Sequence, residues 1–283
     1  MPILDQIADG RTDLVFDYLA QGNAATAAGK DGVSKKYASL FDEIRSAFQK
    51  QFVRENGEVG NGSQTCYALA LYMHLLPDSL KAIATDRLIA DIEKRNWHLS
   101  TGFVGTPYLL SALSNNGRAD VAYRLLLNDT YPSWGYTISK GATTIWERWN
   151  GDRGDPSMNS YNHYAFGAVV EWLYRHVAGI DSAPDSPGFQ KIEIHPLPDA
   201  RLTRVHGEYD SIYGKISSDW RSEPGGQFTL KVTIPANTTA TVYLPAGANS
   251  QVTEGGKPVE VQKGPPGFVT AMIGSGSYEF RVN

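Results

Sequence analysis

The apolar positions of this chain change their period once along its length. Up to about Gly179 they recur at helical spacing: Tyr37, Leu40, Phe41, Ile44, Phe48 and Phe52 follow an i, i+3, i+4 rhythm behind Ser34 as N-cap. Further helices are predicted from Ser63 to Leu76, stopped by Pro77, from Ser79 to about Lys94, and from Ala119 to Asn128. Another runs to Asn115, with Thr106 as its cap and Pro107 in its first turn. A short helix is expected at Asp13 to Ala20. A last long one is expected from about Asn159 through Trp172 to Val177, with Gly179 as its C-terminal stop. The connections His98 to Gly105 and Tyr131 to Thr144 carry Gly and Trp, which suits paired helices whose loops build a site at one end.

From Asp181 to Gly188 the text DSAPDSPG has no apolar period and reads as a linker. Beyond it the period becomes two. FQKIEIH, TRVHGEY, IYGKISSDW, FTLKVTI, TATVYLP, PVEVQ, FVTAMI and YEFRV read as strands, with Pro224-Gly225-Gly226 and Gly255-Gly256 among the turns. Short strands at this spacing predict an antiparallel β-sandwich. The expected organisation is therefore a helical domain at 1–180, a linker at 181–188 and a sandwich at 189–283.

Composition narrows the class. The chain has 283 residues, 41% hydrophobic and 20% charged, enough for well-developed cores. A net charge of -4 provides no basic stripe, so neither nucleic acid nor an acidic membrane surface is an expected partner. Cys66 is the single cysteine, which excludes an intrachain disulfide and a cysteine-built zinc site, and it is expected as a buried small hydrophobe. No signal segment opens the chain and no apolar run approaches the ~20 residues that cross a bilayer, so a cytoplasmic location is the default expectation.

The candidate chemistry lies between Lys140 and Gly151, in KGATTIWERWNG, where Glu147 stands between Trp146 and Trp149 beside Arg148. Apolar walls exclude competing water from a carboxylate, and indole faces pack on the C–H faces of a sugar ring. Downstream, SMNSYNHYAFG adds His163 with Tyr161 and Tyr164. On spacing alone, core aromatic rings and an ordinary Glu147–Arg148 ion pair account for the same text. His98 and His163 lack ligand-spaced neighbours, so neither a metal nor another cofactor is expected.

The longer text settles more. QTCYALAL from Gln64, HLSTGFVGTPYLL from His98, YRLLLNDTYPSWGY from Tyr123, GATTIWERW from Gly141, MNSYNHYAFGAVVEWLYRHVAGI from Met158 and GFQKIEIHPLP from Gly188 closely resemble the C-terminal portion of family 78 glycoside hydrolases, the bacterial α-L-rhamnosidases. The resemblance covers roughly residues 35 to 245. It implies a partial (α/α)6 six-hairpin barrel followed by a β-sandwich, and removal of terminal α-L-rhamnose by inversion. In that mechanism an acid protonates the glycosidic oxygen while a carboxylate ~6.5–9.5 Å away activates water. It makes Glu147 the general base and His163 a contact to the rhamnose hydroxyls, although His163 serves equally as a helix cap. Trp134 and Trp149 become wall candidates.

Where the family carries its general acid, in an acidic segment upstream, this chain has nothing similar; Asp152, Asp155 and Asp219 stand in unrelated contexts. The helices are also fewer than six hairpins require. The expectation is thus a fragment or truncated rhamnosidase, exposing faces such as those of Leu14, Phe16 and Leu19, with weak turnover alone. The alternatives are a non-catalytic carbohydrate-binding remnant and one subunit of a split enzyme, completed by a chain supplying the other barrel half or by a homo-oligomer. A separate alternative makes the sandwich a carbohydrate-binding module through Trp220, Tyr209 and Tyr213.

Overall fold

The computed structural model describes residues 24–153, 160–223, 225–247 and 250–283. The expected helix at Asp13 to Ala20, with Leu14, Phe16 and Leu19, lies outside them, as do Asp155 and Pro224. The chain forms two compact units that part between Val169 and Val170.

The first unit is helical. Among its described residues, beyond a helical stretch at 24–27, lie α1 (Asp31–Phe52), α2 (Gln64–Tyr72), α3 (Asp78–Lys94), α4 (Thr106–Asn115), α5 (Ala119–Leu126), α6 (Trp134–Ser139) and α7 (Tyr164–Gly167). α1 buries Phe41, Ile44 and Phe48 from its expected stripe, but it starts a turn before Ser34. Lys30 is the N-cap, Asp31 places a carboxylate at the positive helix end, and the Ser34 hydroxyl meets that of Thr26 instead. α2 has apolar residues on every side because it is the central helix, packed against α3 and α4 with Tyr67 through Leu71 buried. Ser63 caps it, accepting from the Cys66 N–H. Cys66 is half-buried rather than fully enclosed, and its thiol faces Asn61 Oδ1 at 3.3 Å. Thr106 does not cap α4: Gly105 holds that position, and the Thr106 hydroxyl pairs with that of Thr101 at 2.8 Å. Helix α6 falls in a stretch read as loop; its N-cap Ser133 accepts from the Tyr136 N–H, a signal the preceding Pro132 obscures.

The expected long final helix is broken. Within the described residues it begins at Tyr164 in α7, continues in α8 (Val169–Trp172) and ends in a π-helical turn, Leu173–Ala178. Gly179 stops it in the left-handed region at φ 78, where a Cβ would lie 2.1 Å from Pro196 N.

The second unit is the sandwich. One sheet has the order β1 (Ile180–Ser182), β2 (Lys191–Ile194), β6 (Thr239–Pro245), β10 (Phe268–Ile273), β9 (Gln262–Lys263). The other has β3 (Arg204–Ser211), β4 (Gly214–Ser222), β5 (Phe228–Ile234), β11 (Gly276–Val282), β7 (Val252–Glu254), β8 (Lys257–Pro258). All pairs are antiparallel except β2 with β6, which is parallel. Alternation fills the core: Phe228, Leu230, Val232 and Ile234 of β5 and Ala240, Val242 and Leu244 of β6 point inward. The stretch 181–188, expected as a linker, carries the end of β1 and the turn into β2, fastened by the Ala183 N–H on Lys191 O. A three-residue strand ending in Asp and Ser carries too little alternation to be seen from sequence.

Candidate active site

Glu147 sits on a segment laid alongside residues 160–163. Its N–H donates to Ser160 O at 2.8 Å, and the His163 N–H donates to Ile145 O at 2.8 Å. The Thr144 hydroxyl donates to Tyr161 O, adding a third tie between the same stretches. The carboxylate is itself held: Ser160 N–H donates to Glu147 Oε2 at 2.6 Å, a charge-assisted bond that fixes one oxygen and leaves the other.

That carboxylate borders an open groove of about 310 Å3, whose lining includes Phe103, Tyr131, Arg148, Trp149 and Phe166. The groove is mainly aromatic. Trp149 lies flat on Phe166, with centroids 3.9 Å apart and planes 10° apart, and its indole N–H donates to Thr101 O at 3.2 Å. Trp146, the other indole beside Glu147 in sequence, turns away, buried and edge-on to Tyr161. Residues 146 and 149 leave a helix-free turn in different directions, so neighbours in sequence do not become neighbours in the wall.

Trp134 is brought to the site but not into the groove lining. It meets Trp149 edge-on at 5.1 Å and donates its indole N–H to Phe166 O at 3.0 Å, so it backs the Trp149–Phe166 pair. His163 is the N-cap of α7, its Nδ1 accepting from the Ala165 N–H at 3.2 Å. Its faces are covered by Phe103 at 4.8 Å and Tyr164 at 5.0 Å. With Nδ1 accepting and both faces stacked, the neutral ring offers a ligand only the Nε2–H, in its own plane.

Phe103, Tyr131 and Phe166 were not singled out from the sequence as site residues; all three lie inside quoted segments, but no spacing distinguishes a groove-facing ring from a core ring. Gln64 was also missed. Fully buried at the start of α2, it donates from Nε2 to Asp91 Oδ2 at 3.0 Å and to His98 O at 3.2 Å, and it accepts the Ser100 N–H at 2.7 Å. One side chain thus pins the loop that presents Phe103.

Among the described groove-lining residues Glu147 is the one carboxylate. Asp152 is engaged elsewhere. Burial pushes its carboxyl up, but the Tyr136 hydroxyl, donating at 2.8 Å, and the Arg153 guanidinium outweigh this and hold it below the ordinary carboxylate range. Asp219 belongs to β4, where Arg204 at 2.7 Å holds its carboxyl low. Neither is fitted to donate a proton near neutrality. Among the described residues no cluster of three metal-ligating side chains forms, and no helix is long and apolar enough to cross a membrane.

Comparison with known proteins locates this arrangement. A family model described as the bacterial alpha-L-rhamnosidase 6 hairpin glycosidase domain matches residues 16–177, and one described as the bacterial alpha-L-rhamnosidase C-terminal domain matches residues 179–258. An alpha-L-rhamnosidase of Streptomyces avermitilis is 45% identical over 265 residues, covering 91% of this chain and 25% of that protein. One of Formosa agariphila is 37% identical, covering 94% and 30%. In structure, the Streptomyces avermitilis enzyme complexed with L-rhamnose matches with a TM-score of 0.85 at 42% identity, over 93% of this chain and 25% of that one. The Dictyoglumus thermophilum enzyme matches with 0.85 at 34%, over 95% and 31%. This chain therefore spans between a quarter and a third of the length of these relatives.

Proposed function

The chain belongs to the bacterial α-L-rhamnosidase family, and from that premise we propose that the groove beside Glu147 receives a terminal α-L-rhamnose residue of a glycoside or polysaccharide. Glu147 is the general base of an inverting hydrolysis. The observation that carries this reading is a single carboxylate, oriented by a backbone N–H, at the edge of an aromatic groove. The free oxygen of Glu147 takes a proton from water as that water attacks the anomeric carbon. The part of Trp149 that reaches the groove, backed by Phe166, meets the sugar C–H surface, Trp134 holds Trp149 in place, and the His163 Nε2–H donates to a ring hydroxyl.

Inversion needs a second group to protonate the leaving oxygen, and no second carboxyl is among the described residues that line the groove. We assign that group to a barrel segment corresponding to the part of the relatives this chain does not span, whether in the same polypeptide, in a partner chain or in another copy. The catalytic part then falls in the helical unit up to Val169, and the sandwich domain in the unit from Val170 on, with 181–188 inside its first sheet instead of forming a separate connection. The lost acid costs ~10²–10⁴ in rate, less for a leaving group that departs without protonation.

That difference provides the test. The purified chain should cleave a dinitrophenyl α-L-rhamnoside, which releases dinitrophenolate without needing a proton, measurably faster than an alkyl α-L-rhamnoside, which must release an alcohol, and Glu147→Gln should abolish the cleavage. Equal rates in wild type and Glu147→Gln, or faster cleavage of another dinitrophenyl glycoside, would overturn the assignment.

A further inference from the structure

A second concavity lies wholly within the sandwich unit and takes no part in the chemistry above. It is a cavity of about 420 Å3, in the size range of small-molecule sites, where the helical turn before Gly179 meets the edge strand β3. Its apolar lining combines Val170 and Ile180 with three rings. Tyr209 of β3 packs on Phe189 at 4.7 Å and meets Tyr174 edge-on at 6.3 Å, yet Tyr174 and Tyr209 remain 37% and 40% exposed. Rings held by neighbours but left open on a concave surface are preorganised to stack on a ligand rather than to fill a core.

The polar lining is a fixed ion-pair fork. Arg175 Nε donates to Asp181 Oδ2 at 2.7 Å, and Arg175 Nη1 donates to Glu171 Oε1 at 2.8 Å. The guanidinium immobilises both carboxylates, and Glu171 keeps a second oxygen for hydroxyl donors. With two carboxylates and one guanidinium the fork carries a net negative charge, which disfavours an acidic ligand.

We infer that this cavity is a carbohydrate-binding site separate from the Glu147 groove, taking a neutral sugar ring whose C–H face stacks on Tyr209 and Tyr174 and whose hydroxyls are received by Glu171, Asp181 being held by Arg175 and by the Ser182 N–H at 2.8 Å. Trp220, considered from sequence as a sugar platform, has no part in it: it is fully buried, and its indole N–H donates to Val177 O at 2.7 Å. Tyr209 does have a part, but its companions come from the helical turn and the β1–β2 connection rather than from the strands.

The test is a titration of the full chain with L-rhamnose and, separately, with D-galacturonate, following the backbone amide resonances of Tyr174, Ile180 and Tyr209. L-rhamnose should shift them saturably, and galacturonate should bind at least about tenfold more weakly. Tyr209→Ala and, independently, Tyr174→Ala should weaken the rhamnose response about tenfold, the worth of one stacked ring, while Tyr209→Phe retains it. No response at these amides, equal response to the acidic sugar, or unchanged affinity in both alanine variants would overturn the inference. The amides of Glu147 and Trp149 report the other groove in the same spectra, so failure of either site is read apart from the other.

Discussion

Glu147 and Ser160 exchange hydrogen bonds across two loop segments: the Glu147 N–H donates to Ser160 O, and the Ser160 N–H donates to Glu147 Oε2. The backbone that positions the carboxylate is thus the backbone that fixes its orientation. The Ser160 hydroxyl is not involved, since it faces the Asn162 backbone.

Ser160→Ala should therefore leave L-rhamnose affinity within about twofold of wild type, while Ser160→Pro, which removes the donor N–H, should lower it about tenfold or more. A hydrogen bond to a charged group is worth ~1.5–3 kcal/mol. Calorimetric titration of the folded variants distinguishes these outcomes; equal affinity for all three proteins would mean that the carboxylate orientation does not matter to the ligand.

Gln64 acts at one remove. Gln64→Leu would preserve much of the volume but remove the partner of the Ser100 N–H and of the His98 carbonyl; Ser100 is exposed and His98 half-buried, so water replaces part of each bond. The expected result is a fall in urea midpoint corresponding to ~1–3 kcal/mol, accompanied by weaker rhamnose binding because the loop bearing Phe103 loses its anchor. A large loss of stability with full affinity would show that Phe103 is positioned without Gln64.

The contrast between these residues explains what sequence reading can reach. The stripe of α1, the start of α2 at Ser63, Pro107, the Gly179 stop and the alternation of β5 and β6 are local signals, and each appears where its spacing places it, although α2 ends at Tyr72 and not at Leu76. The β1 and β7 strands have three residues each and were missed, because pairing rather than period defines them. Glu147, Trp149 and His163 take their proposed roles from the longer resemblance, not from spacing. Which ring faces the groove depends on the direction the chain leaves a turn, so Trp146 and Trp149 cannot be told apart before folding.

Acid should weaken the sandwich unit through two histidines. Burial lowers His195 to about 4; burial, then Arg175 and His195, lower His176 to about 4. Around them stand Arg175, Trp172, Tyr243 stacked on His195 at 4.1 Å, and Phe268. Because the unfolded imidazole titrates near 6.5, the unfolded chain binds more protons between about 6.5 and 4. Stability from this source is complete above that window, falls as pH drops through it, and is lost below it, by up to roughly 3 kcal/mol per histidine. His195→Phe keeps the ring stack and removes one titration, so its urea midpoint should fall less between pH 7 and pH 4.5. Parallel losses in both proteins would refute the assignment.

His163 combines a structural and a proposed functional role in one ring, and one substitution separates them. Asn at an N-cap accepts the same kind of backbone N–H that His163 Nδ1 accepts from Ala165, whereas Ala cannot, at a cost of ~1 kcal/mol. His163→Asn should therefore retain most of the stability that His163→Ala loses, apart from the stacking with Phe103 and Tyr164. The Asn side chain does not reach where Nε2 stands, so if that N–H meets a rhamnose hydroxyl, affinity should fall about fivefold to tenfold in both variants. Unfolding curves and rhamnose titrations on the two proteins give four numbers. Stability recovered by Asn without affinity identifies a ligand donor; stability and affinity recovered together identify a cap and nothing more.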